Sequence, residues 1–124
     1  MWNKSNRQSK NLIILSLSVG LLFFGQGVVA AQDFSSDLKA ADNKVILEHY
    51  DEAEALYKNI IDHSENATVT AYAQYKLGSL FKRKNEIMKA RQEFKKGLDV
   101  LSKAGQENHQ IGKYLTQALR AADE

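Results

Sequence analysis

The sequence predicts an all-α fold, built as a row of antiparallel helical hairpins. Three observations lead there. Apolar residues recur at the helix period in successive segments, no proline occurs anywhere in the 124 residues, and the polar stretches between segments are short. Apolar positions at i, i+3, i+4 and i+7 fall on one face of a helix. Proline would remove a donor and clash inside such a helix. Short connections make consecutive helices antiparallel neighbours.

Taken in order, Ser36–Glu48 is the first expected helix, with Leu38, Ala41, Val45 and Ile46 turned inward. Asp51–His63 presents Ala53, Leu56, Tyr57, Ile60 and Ile61. Ala71–Lys84 presents Ala73, Leu77, Leu80 and Phe81. Glu86–Lys103 presents Ile87, Ala90, Phe94, Gly97, Leu98 and Leu101, and Gln106–Ala122 presents Ile111, Tyr114, Leu115, Ala118, Leu119 and Ala122. Each stripe occupies one face, so each helix requires a neighbour to cover it. Ser35 or Ser36 is expected to cap the first helix and Asp51 the second. Asn85 precedes the fourth, and Gly105 ends it in the left-handed conformation. The longest polar connection is Asp62–Thr70, DHSENATVT.

Residues 1–31 form a separate object. Lys4, Arg7 and Lys10 precede an uncharged stretch whose densest apolar part is Leu12–Phe24, followed by the small residues Val28-Val29-Ala30-Ala31. A basic start, a short apolar run and a small-residue end is the layout of a secretory signal peptide. The alternative is an uncleaved anchor, since the uncharged residues 11–31 suffice for the roughly 20 residues a bilayer requires. Either way the basic end stays inside and the remainder is exported, so the expected location is periplasmic or secreted, or anchored in the inner membrane. Without the leader, residues 32–124 hold 14 Lys or Arg against 15 Asp or Glu. The mature part is therefore close to neutral, and no nucleic-acid partner is expected. With no cysteine, disulfides, thiolate nucleophiles and cysteine-ligated metals are excluded.

Self-comparison shows a period. Ala53-x3-Tyr57 followed by Ile61 recurs as Ala90-x3-Phe94 followed by Leu98, and Leu77-Gly78 recurs as Ile111-Gly112 at a spacing of 34. With Leu77-Gly78-x2-Phe81 ahead of Ala90-x3-Phe94, the pattern resembles the tetratricopeptide repeat, W-x2-L-G-x2-Y then A-x3-F. The resemblance covers roughly residues 34–122. The first unit lacks the Leu-Gly pair, and the terminal proline of the pattern is missing from both units. It implies a short right-handed superhelix: a repeat at 34–67, a second at 68–104, and a capping helix or partial third repeat at 105–124. A generic helical bundle remains the alternative arrangement.

That resemblance also implies a concave groove for another protein or peptide. Tyr72, Tyr75, Ser79, Lys82 and Arg83 share a face away from Leu77 and Phe81, and Gln106, His109, Lys113, Thr116 and Gln117 form the matching face of the last helix. The bland reading packs the two tyrosines on a neighbouring helix. Some relatives of the repeat hold a C-terminal carboxylate in a basic clamp. Here Gln106 and Gln110 stand where cations would be required, so that clamp is not expected. Charge is segregated: residues 33–67 carry a net −6 and residues 68–104 a net +6. The halves then either attract each other, receive an acidic ligand on the second hairpin, or self-associate head to tail. His49, His63 and His109 are scattered, no glycine-rich phosphate loop occurs, and no nucleophile has a base at a diagnostic spacing. No catalytic residue, cofactor or metal is expected. The expected role is a non-catalytic scaffold, adaptor or accessory subunit of an envelope-associated complex, with a membrane-anchored assembly factor as the alternative, and a small enzyme or metal carrier as the rival class.

Overall fold

The computed structural model describes residues 32–124. The expected leader and its anchor alternative, residues 1–31, lie outside the described residues. The described part is all-α, with five helices and no strand: α1 Ser35–Ile46, α2 Tyr50–His63, α3 Ala67–Arg83, α4 Ile87–Lys103 and α5 Gln110–Asp123. Consecutive helices pack on each other, and α5 also touches α3. The α3–α4 contact is the most extensive.

The core follows the predicted stripes. Ala53, Tyr57, Leu77, Leu80, Phe81, Ala90, Phe94, Leu101, Ile111 and Leu115 are buried in one cluster. Each buried Leu, Ile or Phe among them contributes roughly 1.5–3 kcal/mol relative to exposure. Two expected inward positions are corrected. Ile46 is 76% exposed and Tyr114 is 43% exposed. In α1 the buried stripe runs Phe34, Leu38, Ala41, Val45, which is the i, i+4, i+7, i+11 set; Ile46 is one residue out of phase with it. Phe34 is buried against Ile60 and Ala73 and pins the start of α1 to the first two-helix junction.

Three helix ends share one geometry. Glu48, Asn85 and Gly105 have φ of 61°, 61° and 67°. In each case that residue's N–H and the next one reach back to the preceding carbonyls: Glu48 N to Val45 O and His49 N to Lys44 O, Asn85 N to Lys82 O and Glu86 N to Phe81 O, Gly105 N to Ser102 O and Gln106 N to Leu101 O. These are Schellman closures of α1, α3 and α4. Gly105 thus ends its helix as expected, whereas Asn85 closes α3 rather than opening α4.

The expected caps at Ser35, Ser36 and Asp51 are not the ones used. Ser35 is already the first residue of α1, and its N–H donates to Asp33 Oδ1 at 2.9 Å. Asp51 lies in the first turn of α2, which starts at Tyr50. The polar stretch 62–70 is mostly helical, because Asn66 Oδ1 accepts from Thr68 N and Val69 N at 3.0 and 3.2 Å and so starts α3 four residues earlier than the apolar stripe indicates. The start of α5 shifts the other way, to Gln110, where His109 Nδ1 accepts from Ile111 N.

The two hairpins, α1–α2 and α3–α4, are joined by polar contacts as well as apolar ones. The Tyr57 hydroxyl, on α2, donates to Asp42 Oδ1 on α1. Asp42 Oδ2 in turn pairs with Lys76 Nζ of α3 at 3.2 Å. Lys84, just after α3, reaches Glu54 at 3.3 Å and Asp51 at 3.5 Å on α2. The acidic first half and basic second half therefore do attract each other within one chain, through a few pairs.

Candidate partner-binding face

Helix α3 is long enough to carry two stripes. One is the core set. The other is Tyr72, Tyr75, Ser79 and Lys82 at i, i+3, i+7 and i+10, with Arg83 beside it. Tyr72, Tyr75 and Ser79 are half-buried; Lys82 and Arg83 are exposed. Tyr75 is the centre of an aromatic row. Its ring lies 6.5 Å from Tyr72, 6.2 Å from Phe94 on α4 and 6.2 Å from Tyr114 on α5, all tilted. Tilted pairs at such distances are favourable by about 0.5–1.5 kcal/mol beyond area burial.

The row separates two open clefts between α3 and α5. The larger, about 470 Å³, is lined by Tyr75, Ser79, Lys82 and Arg83 from α3, Phe94 from α4, and Tyr114, Gln117, Ala118 and Ala121 from α5. The smaller, about 330 Å³, is lined by Leu38, Thr68, Val69, Tyr72, His109, Gln110, Ile111 and Tyr114. Thus the predicted residues are split. Tyr75, Ser79, Lys82 and Arg83 share the larger cleft, while Tyr72 and His109 belong to the smaller. Lys113 is exposed and lines neither. No family model, curated protein or solved structure matches the chain.

Several polar groups at the face are already engaged. The Ser79 hydroxyl donates to Tyr75 O at 2.8 Å, and Gln110 Nε2 donates to the Tyr114 hydroxyl at 2.7 Å. Lys76 Nζ sits 5.6 Å from the Tyr72 ring centroid. Burial works to lower Lys76, but its hydrogen bond and charge pairing with Asp42 outweigh this and raise it overall. Lys82 and Arg83 differ: among the described residues neither has a carboxylate in ion-pair range. Glu86, one turn beyond Lys82, is held by Lys84 at 3.4 Å and Lys89 at 2.5 Å.

Sequence reasoning missed Tyr114 and Ala121 as face residues. Their signal was present in the 114, 117, 121 spacing: Gln117 is assigned to the face, but Tyr114 is counted among the inward residues and Ala121 falls in neither set. Gln106 and Thr116 are otherwise occupied: Gln106 Oε1 accepts from Thr68 Oγ1 at 3.0 Å, and the Thr116 hydroxyl donates to Gly112 O at 2.8 Å. The histidines lie apart, with His63 Nδ1 on Asn59 O, His49 beside Glu52, and His109 at the start of α5. Among the described residues no group of three or more His, Cys, Asp or Glu converges as metal ligands would. No helix among them is long and apolar enough to cross a membrane.

Proposed function

We propose that the chain is an exported binding module of the tetratricopeptide type, a non-catalytic scaffold or accessory subunit that receives another protein on the α3–α5 face. The observation that carries this reading is the larger cleft, where half-buried Tyr75 and exposed Tyr114 stand beside two cations that have no carboxylate partner among the described residues. Tyrosine and arginine at a water-accessible hollow are the side chains that dominate binding energy at protein interfaces. The repeat reading draws support from Gly78 and Phe94, which occupy the small and aromatic positions of the pattern and touch each other across α3 and α4. Stacking of the two hairpins as a right-handed superhelix belongs to the same proposal, as does cleavage of residues 1–31. N-terminal sequencing of the product tests the cleavage.

A photo-crosslinking amino acid at Ser79, inside the cleft, and another at Asn59, exposed on α2, test the face in cells. The expected result is a discrete adduct from position 79 and none of that size from position 59. Adding Tyr75→Ala with Arg83→Ala should remove it. An adduct that persists undiminished in the double variant would end the proposal.

A further inference from the structure

We propose that the larger cleft selects an acidic peptide segment carrying an apolar side chain, with carboxylates held at Lys82 and Arg83 and the apolar group seated beside the Tyr75–Tyr114 pair, against Ala118 and Ala121. This rests on the protein-binding reading above and names the partner's chemistry.

The argument begins with what is missing from the two helices that form the cleft. Helix α3 contains no Asp or Glu, and α5 contains only Asp123, which Arg91 of α4 holds at 2.6 Å. The face therefore has no anion of its own to offer Lys82 and Arg83. Cations nearby are treated differently by the fold. Lys76, Lys84, Lys89, Arg91 and Lys96 each have a carboxylate partner. Lys39, Lys95, Lys113 and Arg120 also lack a carboxylate partner among the described residues, but none of them lines the cleft; of its lining cations, Lys82 and Arg83 are both left for an external anion. Arg83 presents a planar fork suited to a carboxylate, and Lys82 a compact charge beside it.

The other half of the cleft is apolar. Phe94 forms its floor at 1% exposure, and Ala118 from α5 is part of its lining. A volume of about 470 Å³ lies within the roughly 300–1,000 Å³ range of sites that bury most of a small ligand. It accommodates a few side chains of an extended segment. Charge complementarity at the mouth and an apolar floor together favour a segment in which acidic residues flank a leucine or phenylalanine. Such charges set orientation and encounter, and the apolar anchor sets residence.

The test is fluorescence anisotropy with the chain as purified from its host and three labelled peptides, EELFEE, QQLFQQ and KKLFKK. The expected order is EELFEE tightest by about tenfold over QQLFQQ at low salt, with KKLFKK weakest. The gap between the first two should shrink as ionic strength rises toward a few hundred millimolar. Lys82→Glu with Arg83→Glu should lose that selectivity and favour KKLFKK. Both positions are exposed, so unchanged helical circular dichroism is expected and separates lost binding from lost fold. If EELFEE and QQLFQQ bind equally, acid selection fails and the protein-binding reading stands. If no peptide binds while position 79 still crosslinks a protein, this inference alone fails; if that adduct is missing too, both fail. Tight binding of oligothymidylate in place of EELFEE, or a dimer that the double reversal dissolves, would assign the cations to nucleic acid or to a second copy and overturn the inference.

Discussion

A β-carbon on Gly78 would lie 2.5 Å from Phe94 Cε1 and 2.7 Å from Cδ1. The backbone of α3 thus runs directly against the ring of Phe94, which is 1% exposed and also in contact range of Tyr75. A side chain at position 78 must either displace that ring toward the open cleft or push the two central helices apart. Gly78→Ala gains up to about 1 kcal/mol of helix propensity and incurs an overpacking cost of about 1–3 kcal/mol. The expected outcome is a net loss in urea unfolding. Adding Phe94→Leu should cost less in that background than in the wild type, because it relieves the clash.

Glu48 closes α1 at φ 61°, where its β-carbon crowds the backbone. Glu48→Gly keeps the same closure without that strain and is expected to stabilise by about 0.5–1 kcal/mol, or several degrees in Tm. Asn85 has the same φ with a side chain better suited to it. Asn85→Ala should therefore destabilise, and the opposite signs of the two thermal shifts check the assignment.

Tyr57 predicts an alkaline transition. Burial first, then its hydrogen bond to Asp42, pushes the phenol far above its ordinary value of 10.0. A raised acid in the folded state means that stability is full below pH 10 and falls as pH rises above it, because the unfolded chain releases a proton the folded chain keeps. Absorbance titration should show one tyrosine ionising only with unfolding. Tyr57→Phe should flatten the stability profile above pH 10 while lowering stability near neutrality by about 1–3 kcal/mol, since Asp42 loses a donor.

Asn66 caps α3 through two backbone N–H groups. Asn66→Ala is expected to cost about 1 kcal/mol, and Asn66→Asp to retain most of the stability. Hydrogen exchange at Thr68 and Val69 should accelerate in the alanine variant before any other part of α3.

Acid should weaken an ion pair within α2 and, to a smaller extent, one contact between hairpins. Hydrogen bonding to Lys58, then to Lys84, holds Glu54 below its ordinary 4.5, with burial opposing. A depressed carboxylate contributes stability that is complete above 4.5 and lost as pH falls through its lowered value. Glu54→Gln should remove that part of the acid dependence and leave the alkaline profile governed by Tyr57.

The fold class was legible because helix periodicity is a local property: Tyr57, Phe81, Phe94 and Leu115 stand at the spacing that buries them. Helix ends were legible only where one residue type answers the geometry, as with Gly105. Elsewhere the competing residues were ambiguous. Ser35, Ser36 and Asp33 are all acceptable at a helix start, and which one bonds depends on Phe34 docking against Ile60 and Ala73. On the face, the α3 stripe could be drawn from spacing alone, but its division into two clefts could not. That division arises from Tyr114 meeting Tyr75 across helices nearly forty residues apart in sequence, and no local pattern encodes the meeting.

Helix α5 packs chiefly on α4 and, less extensively, on α3. Terminal members of such a row open more readily than its middle. Ala118 and Ala121 leave with α5 when it opens, so one jaw of the hollow over Phe94 belongs to an end helix of the described row. Anything gripped there must hold that jaw shut. Occupancy and detachment of the last helix are therefore opposed equilibria, and a bound segment would be felt first as slowed amide exchange in residues 111–122.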